Sequence, residues 1–471
     1  MSAPRIVVCG GGLAGVAAAC EAALRGARVT LVERRPFLGG RAFSFVDPSS
    51  GREVDNGQHV YLGCCTAYVG LLRILGTLGY TTLQRRMRVP VRDRDGRRGV
   101  LAAEPLPPPL HLGPSFAVYP HLTGREKVGA LRALAALARL RPAARGRLDD
   151  RSFADWLGAH GQGGRAVERF WDLIVLPTCN DRSDRVSASL AAYVFQEGFL
   201  RTMRGSAVGW SRVGLTHLVD PAARTFLEAR GGRVLSGRAV AAADSGGVTL
   251  GDGERLDADG VVVALPPERA REVAPDALPA DPGLGSSPIV NVHLWFERPV
   301  MREAFTAVVD SQAQWIFNRT AMGAAGRLGE HHVAVSISGA RREIDVPRDD
   351  LAAGVRAELE HVLPASRAAE LVASAVVKEP RATFAAAPGQ GARRPGTATP
   401  LERVALAGAW TDTDWPATME GAVRSGIRAA RHALEGRPGA QPQSVGRSWM
   451  RGVRAPHQTG FGAHPQGDPS E

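Results

Sequence analysis

The first forty residues constrain the fold of this chain more than any other stretch. An apolar run at residues 5–9 is followed at once by the turn GGGLAG at 10–15, and an alanine-rich helical pattern fills 17–24. A second apolar run at 28–32 ends in Glu33. This order of strand, glycine turn, helix, strand and acid is typical of a βαβ unit that binds a dinucleotide, and it predicts an α/β protein.

Each part of the glycine turn has a task in holding a pyrophosphate. Gly10 permits the tight turn, Gly12 lets the backbone approach the phosphates, and Gly15 allows the helix to pack close to the strand. The helix N-terminus offers unpaired N–H groups to the same phosphates. Glu33 follows Gly15 by 18 residues, a distance at which its carboxylate can accept hydrogen bonds from a ribose. We expect the turn to contact the cofactor through Gly10, Gly12, Leu13, Ala14 and Gly15.

The residues after Glu33 indicate which dinucleotide the turn binds. The run that begins at Arg34 ends in Gly39, Gly40 and Arg41, and a G-G-R a few residues after the ribose acid resembles the second fingerprint of the FAD-dependent amine oxidase and phytoene desaturase superfamily. The resemblance implies that these residues lie against FAD rather than NAD. It also implies a Rossmann-type FAD-binding domain with an inserted α+β substrate lobe. A basic surface loop is the alternative.

A second motif lies at 54–68, where the chain reads VDNGQHVYLGCCTAY. The segment DNGQ, which begins at Asp55, is rich in turn-forming residues. The whole string resembles one family closely, the hydroxysqualene dehydroxylases, also called squalene-associated FAD-dependent desaturases. Because so many polar residues lie in a short stretch beside the cofactor segment, we expect Gln58 and His59 to lie near the flavin ring. A purely structural histidine is the alternative for His59.

The last motif, at 404–431, reads VALAGAWTDTDWPATMEGAVRSGIRAAR. It predicts a strand, a loop and a helix that begins near Pro416, since proline suits a first helical turn. The superfamily resemblance implies that this helix points its N–H groups at the flavin pyrimidine, with Thr418 and Met419 at the cofactor. It also implies that the backbone at Val240 meets the adenine.

One position departs from the family pattern. The superfamily has Gly-Asp after the last strand, with the Asp on the ribityl–phosphate region, whereas this chain has Gly408 and Ala409. We expect Gly408 to contact FAD and either Asp412 or Asp414 to replace the lost carboxylate. Weaker retention of FAD is the alternative outcome.

Composition bears on partners and compartment. The formal charge is +11, and only Lys127 and Lys378 are lysines, so almost all of the positive charge is arginine. Without a nucleic-acid motif, an acidic membrane surface fits this charge better than nucleic acid, and a solvated basic surface is the alternative. Five cysteines without C-x-x-C indicate neither a disulfide framework nor a zinc site. We expect a cytoplasmic protein, either free in the cytoplasm or in peripheral contact with the inner face of the cytoplasmic membrane.

The organisation is expected to be discontinuous. Residues 1–85, 205–275 and 395–435 are assigned to the FAD-binding domain, and residues 86–204 and 276–394 to the substrate lobe. The stretch 436–471 has too few apolar residues for a core and is predicted to be a disordered basic tail. Within the lobe, the stretch 125–147 is strongly helical up to Pro142. Its apolar face is expected to centre on Leu131, Leu134 and Leu137, opposite a row of arginines, so that it packs on its own domain or lies on a membrane.

The family resemblance implies a function, the FAD-dependent reductive dehydroxylation of hydroxysqualene to squalene. A protein acid is then needed to protonate the hydroxyl, and the candidates are Asp55, His59 and Asp412. Two rivals stay open: an oxidative carotenoid-type desaturase, and a non-catalytic flavin-fold protein that binds a lipid. The sequence indicates neither the electron donor nor the oligomeric state.

Overall fold

The computed structural model describes residues 2–323, 327 and 329–436. The predicted disordered tail lies outside the described residues from position 437 onward. Within the described part, no helix combines the length and apolar character that crossing a bilayer requires.

The chain alternates strands and helices from its first residues. The strands, numbered in chain order, are β1 (Arg5–Cys9), β2 (Arg28–Glu33), β3 (Ser44–Val46), β4 (Glu53–Asp55), β5 (Val60–Leu62), β6 (Thr81–Leu83), β7 (Arg88–Asp93), β8 (Arg98–Ala102), β9 (Val208–Ser211), β10 (Arg233–Ser236), β11 (Val240–Asp244), β12 (Gly247–Leu250), β13 (Arg255–Asp257), β14 (Gly260–Val263), β15 (Ser286–Phe296), β16 (Phe305–Val309), β17 (Trp315–Asn318), β18 (His331–Ser338), β19 (Leu371–Phe384) and β20 (Val404–Leu406).

The α-helices are α1 (Leu13–Leu24), α2 (Thr66–Ile74), α3 (Gly113–Ala117), α4 (Gly124–Arg139), α5 (Pro142–Gly146), α6 (Phe153–Ala159), α7 (Gly164–Ala166), α8 (Asp172–Cys179), α9 (Ala188–Phe195), α10 (Leu215–Glu228), α11 (Pro267–Val273), α12 (Arg348–Val362) and α13 (Met419–Glu435). Two short π-helical turns, Val167–Trp171 and Gln196–Leu200, follow α7 and α9.

A parallel five-stranded sheet, in the order β10-β2-β1-β14-β20, forms the first layer. Its strands come from three separate parts of the chain, and the parallel register joins Ile6 to Val29 on one side and to Gly260 on the other. The central strands are buried on both faces, as expected for a parallel sheet covered by helices. This is the predicted α/β, Rossmann-type arrangement, and the fold prediction is confirmed.

The helices α1 and α13 pack against each other on one face of this sheet. Almost every residue of α1 is buried, and most of them are alanine. A Cβ atom at Gly426 of α13 would lie only 2.0 Å from the carbonyl oxygen of Ala14. The small residues therefore let the two backbones approach closely, which brings the first turn of α1 beside the first half of α13.

The chain also forms a second large sheet, which is mixed and has seven strands in the order β19-β15-β18-β17-β16-β7-β8. Along β15, Val290, Val292 and Leu294 pack into the core that includes α12. Strand alternation sends the intervening side chains to the opposite face, where Trp295 packs against Val54 of β4. This face of the sheet therefore looks toward the DNGQ segment.

The helix α4 has a different buried face from the one that we predicted. Its buried residues are Ala130, Ala133 and Leu137, whereas Leu131 is half exposed. The alanines allow a closer approach than leucine, so the inward face is set by side-chain size as well as by polarity. The helix also ends at Arg139, and a separate short helix begins at Pro142.

Candidate active site and cofactor site

The glycine turn between β1 and α1 is tight for steric reasons. Gly10 has φ +104°, a conformation that favours glycine. A Cβ atom at Gly15 would lie 1.8 Å from the carbonyl oxygen of Gly10, so any side chain there would force the turn open. Gly12 is different, because the nearest heavy atom to an added Cβ is the Cα of Gly40, 3.9 Å away. The structure thus leaves free room at Gly12, in front of the first turn of α1.

Glu33 ties the end of β2 to this turn. Its carboxylate accepts a hydrogen bond from the Gly11 N–H at 2.7 Å and one from the Arg35 N–H at 2.9 Å. Each carboxylate oxygen has a second lone pair. The acid therefore orders the two loops and keeps acceptor capacity for a ribose.

The G-G-R loop lies directly on the glycine turn. The Gly39 N–H donates to the Gly11 carbonyl at 2.8 Å, and a Cβ at Gly40 would come within 2.8 Å of the Gly12 Cα. The side chains of Arg34 and Arg41 are exposed. The two predicted fingerprints, far enough apart in sequence to be independent, form one surface.

Two further segments that we expect to contact FAD, at Val240 and Gly408, are tied to the elements that surround the glycine turn. Arg238, two residues before Val240, donates its N–H to the Glu33 carbonyl at 3.1 Å. The Gly408 N–H donates to the Ser425 Oγ at 2.8 Å, which places the end of β20 against α13. Val240 itself is buried at the start of β11.

The start of α13 lies three residues beyond the predicted one. Thr418 is the N-cap, with extended backbone angles and an Oγ1 that accepts the Gly421 N–H at 3.2 Å, and Met419 is the first helical residue. Pro416 lies outside the helix, because the cap residue needs non-helical angles.

The site fits FAD on three observations. The space in front of Gly12 is open, since the nearest heavy atom to an added Cβ is the Gly40 Cα at 3.9 Å, and it can accept a phosphate group. No side chain caps the N-terminus of α1, so its first N–H groups remain available to an anion. Finally, the Gln58 Oε1 is buried without a hydrogen-bond partner among the described residues, and such atoms are rare in the absence of a ligand or water.

Asn291 of β15 holds the DNGQ segment. Its Oδ1 accepts from the Gln58 N–H at 3.4 Å, and its Nδ2 donates to the Asn56 carbonyl at 3.5 Å. The His59 Nδ1 lies 2.8 Å from the Gly57 carbonyl oxygen. Because a carbonyl only accepts, Nδ1 carries the proton and Nε2 is free to accept or to gain one. Burial lowers the pKa of His59, with the charge of Asp55 opposing this in part.

Asp55 forms a buried ion pair. Its Oδ2 lies 2.9 Å from the Arg319 Nη2, and both side chains are only 3% exposed. Its Oδ1 accepts from the Ser44 hydroxyl at 2.7 Å and from the Leu215 N–H at 3.1 Å. Asp55 therefore joins β4, the first turn of α10 and the segment after β17. Sequence reasoning missed Arg319, because nothing local marks a partner so distant along the chain.

Two histidines extend this buried cluster. The His293 Nδ1 and His332 Nε2 are 3.0 Å apart, and the His332 ring stacks on Trp295 with centroids 4.4 Å apart. Burial lowers the pKa of His293 to about 4, and it lowers the pKa of His332 as well. Both rings are therefore neutral at physiological pH. One of the two facing nitrogens carries a proton and donates it in the hydrogen bond, and the other accepts it.

Asp412 lies in another environment. Its side chain is exposed, its Oδ1 accepts from the Asp414 N–H at 3.3 Å, and its N–H donates to the Pro395 carbonyl. Asp412 thus belongs to the loop between β20 and α13, while Asp55 and His59 belong to the DNGQ segment.

Arg394 is a buried cation that sequence reasoning also missed. Its Nη2 donates to the carbonyls of Ala409 and Thr411 and to the Thr413 hydroxyl. Its Nε has no hydrogen-bond partner among the described residues. Burial lowers the pKa of Arg394 to about 10, against the opposing charges of nearby carboxylates. This arginine fixes the loop that carries Ala409, the position where the family pattern has an acid.

Replacing Arg394 by lysine is expected to weaken FAD binding about ten- to a hundredfold. An ammonium group cannot reproduce the planar set of donors, and losing one charged hydrogen bond in the loop costs about 1.5–3 kcal/mol. The dissociation constant of FAD, measured by quenching of flavin fluorescence, checks this. Arg393→Lys is the matched control, because Arg393 is exposed and adjacent. Equal affinities for the two variants would remove Arg394 from the cofactor site.

A separate cleft of about 540 Å³ lies beside β16. It is lined largely by charged and polar side chains, among them Glu168, Asp172, Arg182, Glu343 and Glu358. A hydrocarbon bound there would remove water from these charged side chains, which is unfavourable. The cleft is therefore unsuited to a hydrocarbon, and we do not assign it to the active site.

The fold and the two joined fingerprints define a dinucleotide-binding oxidoreductase. Residues 13–434 match the family model described as flavin containing amine oxidoreductase. The chain therefore belongs to the flavin-containing amine oxidoreductase family, and it is an FAD-dependent oxidoreductase.

Named relatives narrow the similarity. The hydroxysqualene dehydroxylase of Rhodopseudomonas palustris is 31% identical over 438 residues, which cover 90% of this chain and 96% of the relative. The zeta-carotene desaturase of Zea mays is 25% identical over 91% of this chain and 83% of the relative. The predicted resemblance to hydroxysqualene dehydroxylases is confirmed, and carotene desaturases are similar to the chain at somewhat lower identity.

Solved structures agree on the fold. An oxidoreductase from Methanosarcina mazei has a TM-score of 0.69 at 16% identity, covering 91% of this chain and 99% of that one. A putrescine oxidase bound to putrescine has a TM-score of 0.66 at 19% identity, covering 92% and 99%. At such identities the likeness shows the fold alone.

Proposed function

We propose that this enzyme removes the hydroxyl group of hydroxysqualene reductively and releases squalene. The observation that carries the proposal is the similarity, over nine-tenths of the chain, to a relative of that activity. Two further hydroxysqualene dehydroxylases, from Sinorhizobium fredii and Zymomonas mobilis, are 28% identical over 91% and 92% of the chain.

The reaction needs one proton and one hydride for each hydroxyl lost. The C–O bond breaks, the hydroxyl takes a proton and leaves as water, and a new C–H bond forms on the same carbon. Reduced FAD, when bound, supplies the hydride and is thereby oxidised. What the protein must add is an acid beside the hydroxyl and an apolar surface for the hydrocarbon.

Among the three candidate acids, we propose His59. The carboxylate of Asp55 is committed to Arg319, Ser44 and the backbone, so a proton there would break a buried ion pair. Asp412 is exposed to solvent. His59 has its Nδ1–H fixed by the Gly57 carbonyl, which leaves Nε2 to carry the transferable proton. In this account Asp55 and Arg319 position the DNGQ segment.

The turnover rate is expected to rise as the pH falls through the pKa of His59. Burial lowers that pKa below its ordinary value of 6.5, so only a minority of the enzyme carries the active proton at neutral pH. His59→Ala is expected to lose about 10²–10⁴-fold in kcat and to flatten the pH profile, while FAD stays bound. His361→Ala is the control, because its Nδ1 contacts a carbonyl in the same way on an exposed helix. Unchanged turnover in His59→Ala would remove it from the mechanism.

We further propose that the cofactor domain comprises 1–85, 205–275 and 395–435, and the substrate lobe 86–204 and 276–394. All strands of the five-stranded sheet fall in the first set of ranges, and all strands of the seven-stranded sheet fall in the second. In this arrangement β15 presents its DNGQ-facing side chains at the boundary between the two.

An oxidative carotenoid-type desaturase is the second candidate, supported by the similarity to zeta-carotene desaturases. Absorbance spectroscopy of the flavin distinguishes the reductive reaction from the oxidative one. Enzyme reduced with dithionite under nitrogen is expected to regain the absorbance of oxidised flavin when hydroxysqualene in detergent is added. Bleaching of oxidised enzyme by phytoene, with no response of reduced enzyme to hydroxysqualene, would favour the desaturase.

A further inference from the structure

Large exposed apolar side chains concentrate in one stretch of the substrate lobe. Among the described residues, nine large hydrophobic side chains are exposed, and five of them lie between positions 106 and 131. Their exposed fractions are Leu106 41%, Leu110 63%, Val118 77%, Val128 49% and Leu131 50%. Single exposed apolar residues are ordinary, whereas a cluster marks a binding surface.

Contacts within the stretch place α3 and α4 side by side. The Lys127 Nζ of α4 donates to the Ala117 carbonyl, the last residue of α3, at 2.7 Å. Lys127 lies one turn before Leu131, and Val118 follows Ala117 directly. The exposed side chains of Val118 and Leu131 therefore lie on the same side of the lobe.

The outward face of α4 is basic as well as apolar. With Ala130, Ala133 and Leu137 turned into the core, the helical period of 100° per residue places Val128 at the centre of the opposite face. The same period places Arg125, Arg132 and Arg139 along one edge of that face, and all three are exposed. Leu131 lies along the other edge.

The charge of the surrounding segment has one sign. From Leu106 to Arg147 the chain carries seven arginine or lysine residues and a single acid, Glu126. That acid is already engaged, because it forms the capping box with Thr123 and contacts Arg165. Apolar side chains beside uncompensated arginines fit the boundary between acyl chains and anionic headgroups, where the arginine stems extend along apolar surface.

We infer that the surface formed by Leu106, Leu110, Val118, Val128 and Leu131, with the arginines of α4, docks onto a lipid bilayer that contains anionic headgroups. The inference rests on the proposed function and deepens it, because a hydrocarbon substrate is stored in membranes.

Sedimentation with vesicles tests the inference without any turnover. Purified full-length protein with bound FAD is spun with vesicles of equal parts phosphatidylcholine and phosphatidylglycerol, and with phosphatidylcholine alone. Wild-type protein is expected to pellet with the first and to remain largely in solution with the second. The double variant Val118→Asp, Leu131→Asp is expected to bind the anionic vesicles at least tenfold more weakly.

A matched control variant is available elsewhere on the surface. Val46 and Val372 are 64% and 45% exposed, so the double variant Val46→Asp, Val372→Asp adds the same charge without touching α3 or α4. It is expected to bind vesicles much more strongly than the Val118, Leu131 variant. Equal loss in the two variants, or wild-type protein that stays in solution with anionic vesicles, would overturn the inference.

Gel filtration and turnover distinguish the bilayer from a second copy of the chain and from a failure of the proposed function. Concentration-dependent dimerisation without lipid, abolished by the Val118, Leu131 variant, would show that the surface joins two copies and would overturn the bilayer assignment. Turnover of hydroxysqualene in detergent is expected to be equal in wild type and variant. Vesicle binding without turnover in any form would contradict the proposed function and leave the docking surface standing.

Discussion

Glu420→Ala is expected to lower the free energy of unfolding by about 3–5 kcal/mol, the cost of removing one partner of a buried ion pair. Glu420 is fully buried in the first turn of α13. Its carboxylate accepts the N–H groups of Ala67 at 3.0 Å and Tyr68 at 2.8 Å, and it pairs with the Arg424 Nε at 2.6 Å. The variant leaves two helix N–H groups and a guanidinium without their partner.

The same variant is expected to release FAD. Glu420 joins the N-terminus of α2, which follows the DNGQ segment, to the N-terminus of α13, where we expect the flavin. Burial raises the pKa of Glu420 despite its partners, which shows that the carboxylate is held at a cost in solvation. Urea unfolding and the ratio of flavin to protein measure the two effects.

Glu435→Ala is the control for this experiment. It lies at the exposed end of the same helix, and such surface substitutions usually change stability by less than about 0.5 kcal/mol. A Glu420→Ala protein as stable as the Glu435→Ala protein would show that the contact between α2 and α13 is unimportant.

Gly12→Ala is expected to leave the fold intact and to abolish retention of FAD. The backbone at Gly12 is extended, with φ −70°, and the nearest atom to an added Cβ is 3.9 Å away. The protein itself therefore accepts the methyl group. The phosphates do not, because the methyl group occupies the room in front of α1 that we assign to them.

Two glycine-to-alanine variants at other positions serve as controls for Gly12→Ala. Gly15→Ala is expected to fail in folding, since its Cβ would lie 1.8 Å from the Gly10 carbonyl oxygen. Gly158→Ala, in α6 with no heavy atom near the added Cβ, is expected to resemble wild type. Thermal unfolding and the flavin absorbance of the purified proteins distinguish all three. FAD bound at wild-type strength by Gly12→Ala would show that the phosphates lie elsewhere.

Local patterns predicted the cofactor half of the molecule well. The apolar run, glycine turn and alanine-rich helix each carry a short-range signal, and the structure shows β1, α1 and β2 in that order, with Glu33 at the end of β2. The start of α13 was misplaced because Pro416 gave a stronger local signal than the Thr418 cap. The buried face of α4 was misplaced because the prediction followed the spacing of the leucines. The small side chains of the alanines allow a closer approach, and they set the buried face instead.

Long-range partners could not be predicted. The ion pair of Asp55 and Arg319 joins residues from distant parts of the chain, and no spacing rule connects them. The contact of the Glu420 carboxylate with the first N–H groups of α2 could not be predicted either, because the two helices lie far apart in sequence. Arg394 gave no signal, because its role depends on where the loop after β20 folds back. Each of these contacts follows from the tertiary packing of separate segments.

The decisive experiment is an anaerobic incubation of the purified protein with chemically reduced FAD and hydroxysqualene in detergent, followed by mass spectrometry. Squalene is expected to form only when both protein and reduced flavin are present. Hydroxysqualene that remains unchanged, while the same protein with oxidised FAD desaturates phytoene, would contradict the proposed reductive function.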